Sequence, residues 1–244
     1  MRTSVIVPVL NEEKILRAFL RHLREAAPAC EIVVVDGRSD DGSLAIAQEL
    51  ANRAVKSSRG RAVQMNAGAK LAGGDVFWFV HADSVIAPSS LQLIEEALAD
   101  PKVVGGCFRL RIDSARSIYR VRDAIGNLLV DLTGIALGDR GFFCRREVFL
   151  HVGGYPEIAI LEDAEFYRNM KRDGRVVQIN ETILTSSRRY EQLGPATTML
   201  FYALIMLLYV ARVPIRVLER MVHAYMKRKS PRKIDNGASG SRAT

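Results

Sequence analysis

Along the first hundred residues, short apolar runs alternate with stretches whose apolar positions recur every three to four residues. Residues 4–9 form an apolar run suited to a buried strand. Ile15, Leu16, Phe19, Leu20 and Leu23 follow at helical spacing. Asn11 is the expected N-cap, Glu12 and Glu13 occupy the first turn where acidic groups suit the helix dipole, and Pro28 closes the element. The same reading gives strands at 31–36, 54–57 and 75–80, and helices at 43–52, 60–72 and from Pro88 to the Asp100-Pro101 break. This βαβαβαβ rhythm predicts a mainly parallel sheet covered by helices on both faces. Ligands of such sheets lie beyond the carboxyl ends of the strands, so Asn11, Asp36 and Asp83 are expected to share one crevice.

The second half is less regular. Residues 103–112 alternate partly as a strand, 117–137 read as a helix, 141–145 as a strand, 153–156 as a turn, 162–172 as a helix and 176–179 as a strand. Residues 199–211 are uncharged and almost wholly apolar, but as a helix they would extend only about 20 Å, short of a bilayer core of roughly 30 Å. Beyond Pro214, the apolar residues Leu218, Met221, Val222 and Tyr225 oppose Arg216, Glu219, Arg220 and His223. The pair reads as a helical hairpin that either lies in a membrane interface or packs onto the domain. The residues from Lys227 on read as disordered. The resulting division is a domain at 1–193, the hairpin at 194–229 and a tail at 230–244.

Composition narrows the class. With 244 residues, 48% hydrophobic and 25% charged, the chain suits one large α/β domain and excludes collagenous and low-complexity classes. Three cysteines (Cys30, Cys107, Cys144) without a Cys-x-x-Cys pair argue against a disulfide framework or structural zinc, and point to a reducing cytoplasm. The apolar stretch before Asn11 is too short for a signal peptide. The net charge of +8 includes a basic excess from Arg212 onward, which implies an anionic partner: a membrane surface, here the inner face of the cell membrane, or a nucleic acid. No recognition module or aromatic stacking motif supports nucleic acid, which leaves a peripheral membrane contact.

The candidate chemistry lies in carboxylates and arginines. Asp36 and Asp83 each follow an apolar run, where a carboxylate serves packing poorly and a polar ligand well; a turn or N-cap role is the alternative. His81 stands two residues before Asp83, and such a set suits Mg²⁺ or Mn²⁺, which bind phosphate oxygens with few protein ligands. Arg59 and Arg61 flank the expected helix start at Gly60, an anion site in principle or a solvated basic turn. Glu162-Asp163 alone would read as helix-capping acids.

These motifs together resemble a known family. SVIVPVLNEE at 4–13 and VVVDGRSDDGS at 33–43 resemble the opening of family-2 glycosyltransferases with the A-type nucleotide-sugar fold. RGRAVQMNAG at 59–68 and GDVFWFVHAD at 74–83 are similar to the arsenosugar-biosynthesis-type subgroup. GDRGFFCRREVF at 138–149, GGYP at 153–156, Glu162-Asp163 and SRRY at 187–190 extend the likeness over about residues 3 to 225. The resemblance implies a single Rossmann-like nucleotide-sugar-binding domain with a mainly parallel, mixed sheet, and a metal-dependent, inverting hexosyl transfer from a nucleoside diphosphate sugar to an acceptor hydroxyl. Pro8, Asn11 and Glu12 would line the nucleoside pocket, and Asp36 would bond the base. Arg59 and Arg61 would approach the base or diphosphate, and Arg188 and Arg189 the leaving phosphate. Asp83 would bind Mg²⁺ or Mn²⁺ as the last acid of the family's Asp-x-Asp motif, with His81 standing where the first acid is usual. Asp163 would be the catalytic base, fixed by Glu162, and Asp139, Arg140 and Gly141 would face the acceptor. Two other readings stay open: a nucleotidyltransferase, which shares the layout and the metal–phosphate chemistry, and a membrane-docked nucleotide-sugar-binding protein without turnover, which His81 keeps alive.

Overall fold

The computed structural model describes residues 1–229, in two compact units divided after Arg188. The first unit carries an eight-stranded sheet in the order β3-β2-β1-β4-β7-β6-β8-β5. Its strands are β1 (Thr3–Val9), β2 (Glu31–Asp36), β3 (Arg53–Lys56), β4 (Val76–Phe79), β5 (Ser84–Val85), β6 (Val103–Asp113), β7 (Phe143–Arg145) and β8 (Arg175–Ser186). β3, β2, β1 and β4 run parallel, β7 is antiparallel to both β4 and β6, β6 and β8 are parallel, and β5 is antiparallel to β8. A mainly parallel, mixed sheet is therefore what forms.

The central strands are buried on both faces, which is why they read as continuous apolar runs. Their alternate residues supply two cores. Val5, Val7, Ile32, Val34 and Trp78 pack with Leu16, Phe19, Leu20 and Leu23 of α1 (Glu13–Ala26) and Ile94 and Leu98 of α4 (Ser90–Leu98). Ile6, Val33, Val35, Phe77 and Phe79 pack with Ala62, Met65 and Ala69 of α3 (Arg61–Leu71), and with Phe166, Tyr167 and Met170 of α7 (Glu162–Asp173).

Several expectations need correction. Asn11 is not the N-cap of α1: it has φ +57°, Glu12 takes the capping position, and the Asn11 side chain accepts the Asp40 N–H instead. The helix expected at 117–137 is α5 (Ser117–Thr133), ended by Gly134 in the left-handed region at φ 64°. β8 continues to Ser186, far beyond 179, because it pairs with β6 along nearly the whole length of both strands. β5 and the short helices α6 (Arg146–His151) and α8 (Arg188–Leu193) were not anticipated; α2 (Ser43–Leu50) was.

The second unit contains α9 (Pro195–Val210) and α10 (Ile215–Lys229). Phe201 stacks on Tyr225 at 4.0 Å between centroids, and Thr198 Oγ1 lies 2.9 Å from Tyr225 Oη, so the two helices pack as a pair. Leu200, Leu204, Leu207 and Val210 of α9 are exposed. Residues 227–229, expected to be disordered, belong to α10, and the expected tail at 230–244 lies outside the described residues. Among the described residues no helix is long and apolar enough to cross a membrane.

Candidate active site

The loops leaving β1 and β2 are laced together at the carboxyl ends of those strands. The Asn11 N–H donates to Ser39 Oγ and the Glu12 N–H to Ser43 Oγ, each at 2.9 Å. Gln64 of α3, fully buried, donates through Nε2 to Val9 O at 2.8 Å and Val35 O at 2.9 Å, tying both strand ends to one helix. Pro8 is buried opposite Val35, and Val9 pairs with Asp36. Asp36 is 1% exposed; Oδ2 accepts the Ser39 N–H at 3.0 Å, whereas buried Oδ1 has no partner among the described residues. A buried carboxylate oxygen left open this way is suited to a donor from a ligand. Arg59 is exposed and bonds Asp40 at 2.9 Å and Arg38 O.

A second group of charges gathers at the ends of β4 and β8. Asp83 sits in the turn between β4 and β5, and burial raises its pKa, helped by the charges of Asp139 and Glu12 and opposed by His81 and Arg188. Nη2 of Arg188 bonds both carboxylate oxygens of Glu12, at 2.9 and 3.1 Å. His81 Nε2 lies 3.3 Å from Asp139 Oδ1, and Arg61 Nη1 lies 3.6 Å from the same oxygen. Arg189, in α8, opens the second unit.

Arg61 also reaches α7, with Nη2 2.7 Å from Glu162 Oε1. Glu162 and Asp163 are both buried. Burial pushes the Glu162 carboxyl up to about 7 against the pull of Arg61. Burial likewise raises Asp163, against Arg61 and the N–H groups of Gly138 and Ala164, which its two oxygens accept. Glu162 Oε2 is buried with no partner among the described residues. Asp163, Glu162, Arg61, His81 and Gly138 line a cavity of about 10 Å³, the room of one water.

Asp36 and Asp83 thus share the strand-end edge, and Asp139 connects Asp83 to Asp163 electrostatically. Arg140 lines the same cavity with a buried guanidinium, whose Nε donates to Leu137 O and whose Nη1 donates to Asn127 Oδ1 and Gln178 Oε1. Gly141 is held at φ +57°. Sequence reasoning missed Gln64, whose polar side chain inside an otherwise apolar helix face was the available signal. It also missed that Arg61 and Asp139 join the two halves of the site, since neither pairing has any local pattern.

A divalent ion fits this donor set. Among the described residues no three His, Cys, Asp or Glu side chains could hold an ion by themselves. A hard ion that takes one or two carboxylates and completes its shell with phosphate oxygens needs no such group. The negative charges around Asp83 that favour a proton there also favour a cation.

The sequence profile of glycosyl transferase family 2 matches residues 4–153. The chain belongs to this family. Among curated family members, the undecaprenyl-phosphate 4-deoxy-4-formamido-L-arabinose transferase of Pseudomonas aeruginosa is 35% identical over 156 residues, 58% of this chain and 45% of that protein. An uncharacterized glycosyltransferase of Nostoc is 33% identical over 154 residues, 59% of this chain and 48% of its own. The chain therefore spans about half the length of the curated relatives it matches. In fold it is similar to a mannosyltransferase from Pyrobaculum calidifontis solved with GDP-Man and Mn²⁺, at TM-score 0.61 and 23% identity over 75% of this chain and 56% of that one. It is also similar to glucosyl-3-phosphoglycerate synthase from Mycobacterium tuberculosis solved with Mn²⁺ and UDP-Glc, at TM-score 0.62 and 17% identity over 87% and 80%. The family-2 architecture predicted from the motifs is the one found.

Proposed function

We propose that this family-2 protein transfers a sugar, with inversion, from a nucleoside diphosphate sugar to an acceptor hydroxyl at a membrane surface on the cytoplasmic side. The observation that carries the reading is the joining of Asp83, His81, Asp139, Arg61, Glu162 and Asp163 at one strand-end crevice. Pro8, Asn11 and Glu12 border the nucleoside, and the open oxygen of Asp36 accepts a donor from its base. Mg²⁺ or Mn²⁺ held by Asp83, with His81 and Asp139 beside it, would neutralise the diphosphate. Arg61 and Arg188, each now paired with a carboxylate, are the guanidiniums a diphosphate would compete for, and exposed Arg59 borders the same crevice.

Asp163 takes the proton from the acceptor hydroxyl, and its raised proton affinity suits a base working near neutrality. Glu162 holds Arg61 beside it, and the 139–141 segment borders the acceptor. The Arg59–Gly68 and Gly74–Asp83 motifs support the arsenosugar-biosynthesis-type subgroup, whereas the Pseudomonas relative is named for transfer to a lipid phosphate; the identity of the acceptor separates the two. The exposed apolar residues of α9 and the basic residues of α10 support a peripheral membrane contact for the second unit.

The test is turnover with a panel of nucleotide sugars and Mn²⁺, with the nucleotide product identified. Release of a nucleoside diphosphate is expected. Release of pyrophosphate would instead mean nucleotidyl transfer, and nucleotide binding without any product would mean a binding protein.

A further inference from the structure

α5 is turned inside out compared with an ordinary surface helix, which keeps its apolar stripe inward. Its inward side sets polar Asp123 and Asn127 between buried Tyr119 and Val130. Asp123 Oδ2 accepts the Ile112 N–H at 2.9 Å, and Asn127 both accepts from Leu110 N–H and donates to Leu110 O at 3.0 Å. The reason lies in the sheet. β7 pairs only with Gly105 and Gly106 of β6, so the rest of that strand edge needs other partners, and α5 supplies them from its side chains.

The outward side is apolar. Ile118, Val121, Ile125, Leu128 and Leu132 follow at alternating intervals of three and four, with Leu129 alongside, and all are 37–73% exposed. Six large apolar side chains in one uninterrupted stripe mark an interaction surface. The charge around it is basic. Arg111 and Arg120 are exposed at the N-terminal end of the helix region, while Asp131 at the other end is already bonded by Arg109 at 2.9 Å and by Gln178 at 2.7 Å. Asp113 is exposed beside Arg111, but Arg111, Arg116 and Arg120 outnumber it, so a second copy of this face would bring mostly like charges. A bilayer of anionic lipid offers hydrocarbon for the stripe and phosphate for the arginines.

We propose that the outward face of α5 is a membrane-docking surface of the first unit, seated in the interface of an anionic bilayer. α5 ends at Thr133, and the next segment carries Gly138, whose N–H donates to Asp163. Docking would therefore hold the segment next to the proposed base close to lipid. The surface belongs to the first unit, and binding can be read without turnover.

The experiment is co-sedimentation of the full chain with vesicles of phosphatidylglycerol and phosphatidylcholine, and with vesicles of phosphatidylcholine alone. Three variants are compared with the parent: V121Q/I125Q/L128Q/L132Q on α5, L200Q/L204Q/L207Q on α9, and R111Q/R120Q. Melting temperature and circular dichroism check the fold. The α5 variant is expected to partition at least about tenfold less than the parent. The arginine variant is expected to lose about tenfold on the anionic vesicles and little on neutral ones. The proposal is overturned if the parent binds neither vesicle, or if the folded α5 variant binds like the parent, including when the α9 variant alone releases the protein. It is also overturned if the parent is a dimer that the α5 variant renders monomeric while vesicle binding is absent. Should the α5 variant not fold, the arginine variant decides, and undiminished binding to anionic vesicles overturns the proposal.

Discussion

Arg61 Nη2 and Glu162 Oε1 lie 2.7 Å apart, joining the first residue of α3 to the first residue of α7 across about a hundred positions of chain. Glu162 is almost fully buried while the Arg61 side chain is 39% exposed, and their bond ties the two helix starts together beside Asp163.

If Asp163 is the base, Asp163→Asn lowers the transfer rate by about 10²- to 10⁴-fold, the usual worth of a positioned general base. The amide oxygen can still accept the Gly138 N–H, but the amide nitrogen then faces the Ala164 N–H, so about 1–2 kcal/mol of stability is lost while donor affinity should change little. In the parent, the carboxylate form is required and burial raises its pKa, so activity climbs with pH over a range above that of an ordinary aspartate. Initial rates from pH 5 to 8 check both statements.

Glu162 makes a separate prediction about stability. Its folded pKa of about 7 exceeds the ordinary 4.5, so its contribution is fully present below about pH 4.5 and is lost as pH rises through 7. Glu162→Gln cannot ionise and should flatten this part of the curve. Urea unfolding at pH 5 and pH 8 should show the parent losing more stability than the variant, by on the order of 2 kcal/mol.

Gly141 combines a left-handed φ of +57° with the closeness of Ile183 and of Trp78, whose Nε1 would lie 3.0 Å from an added Cβ. Gly141→Ala should cost about 2–4 kcal/mol, from backbone strain together with overpacking. Denaturant midpoints measure it.

Gln64 closes the strand ends through two hydrogen bonds. Gln64→Met keeps the volume but removes both bonds, leaving Val9 O with the Gly37 N–H as a remaining partner, at a cost of about 1–2 kcal/mol. The proposed nucleoside pocket borders those strand ends, so calorimetry should also show weaker nucleotide binding.

The order of the elements in the first half was legible because β1, β2 and β4 are buried on both faces, and a doubly buried strand writes itself as an unbroken apolar run. The Asn11 cap was misread because the residue faces a partner loop: its side chain bonds the Asp40 N–H, twenty-nine positions away. The length of β8 was misread because much of it is only partly buried, and its extent follows from pairing with β6.

The sequence alone determined the family, the half-sheet of parallel strands, and which acids stand at strand ends, since these depend on local runs and short motifs. Only the tertiary structure decided what those acids touch. Asp139 meets His81 and Arg61, Arg61 meets Glu162, and Arg188 meets Glu12. Such pairings are set by how strands and helices stack, and electrostatic partners far apart in the chain leave no periodicity to read. The same holds for α5, read from the sequence only as a helix: which side it turns inward is set by the edge of β6, whose backbone Asp123 and Asn127 meet.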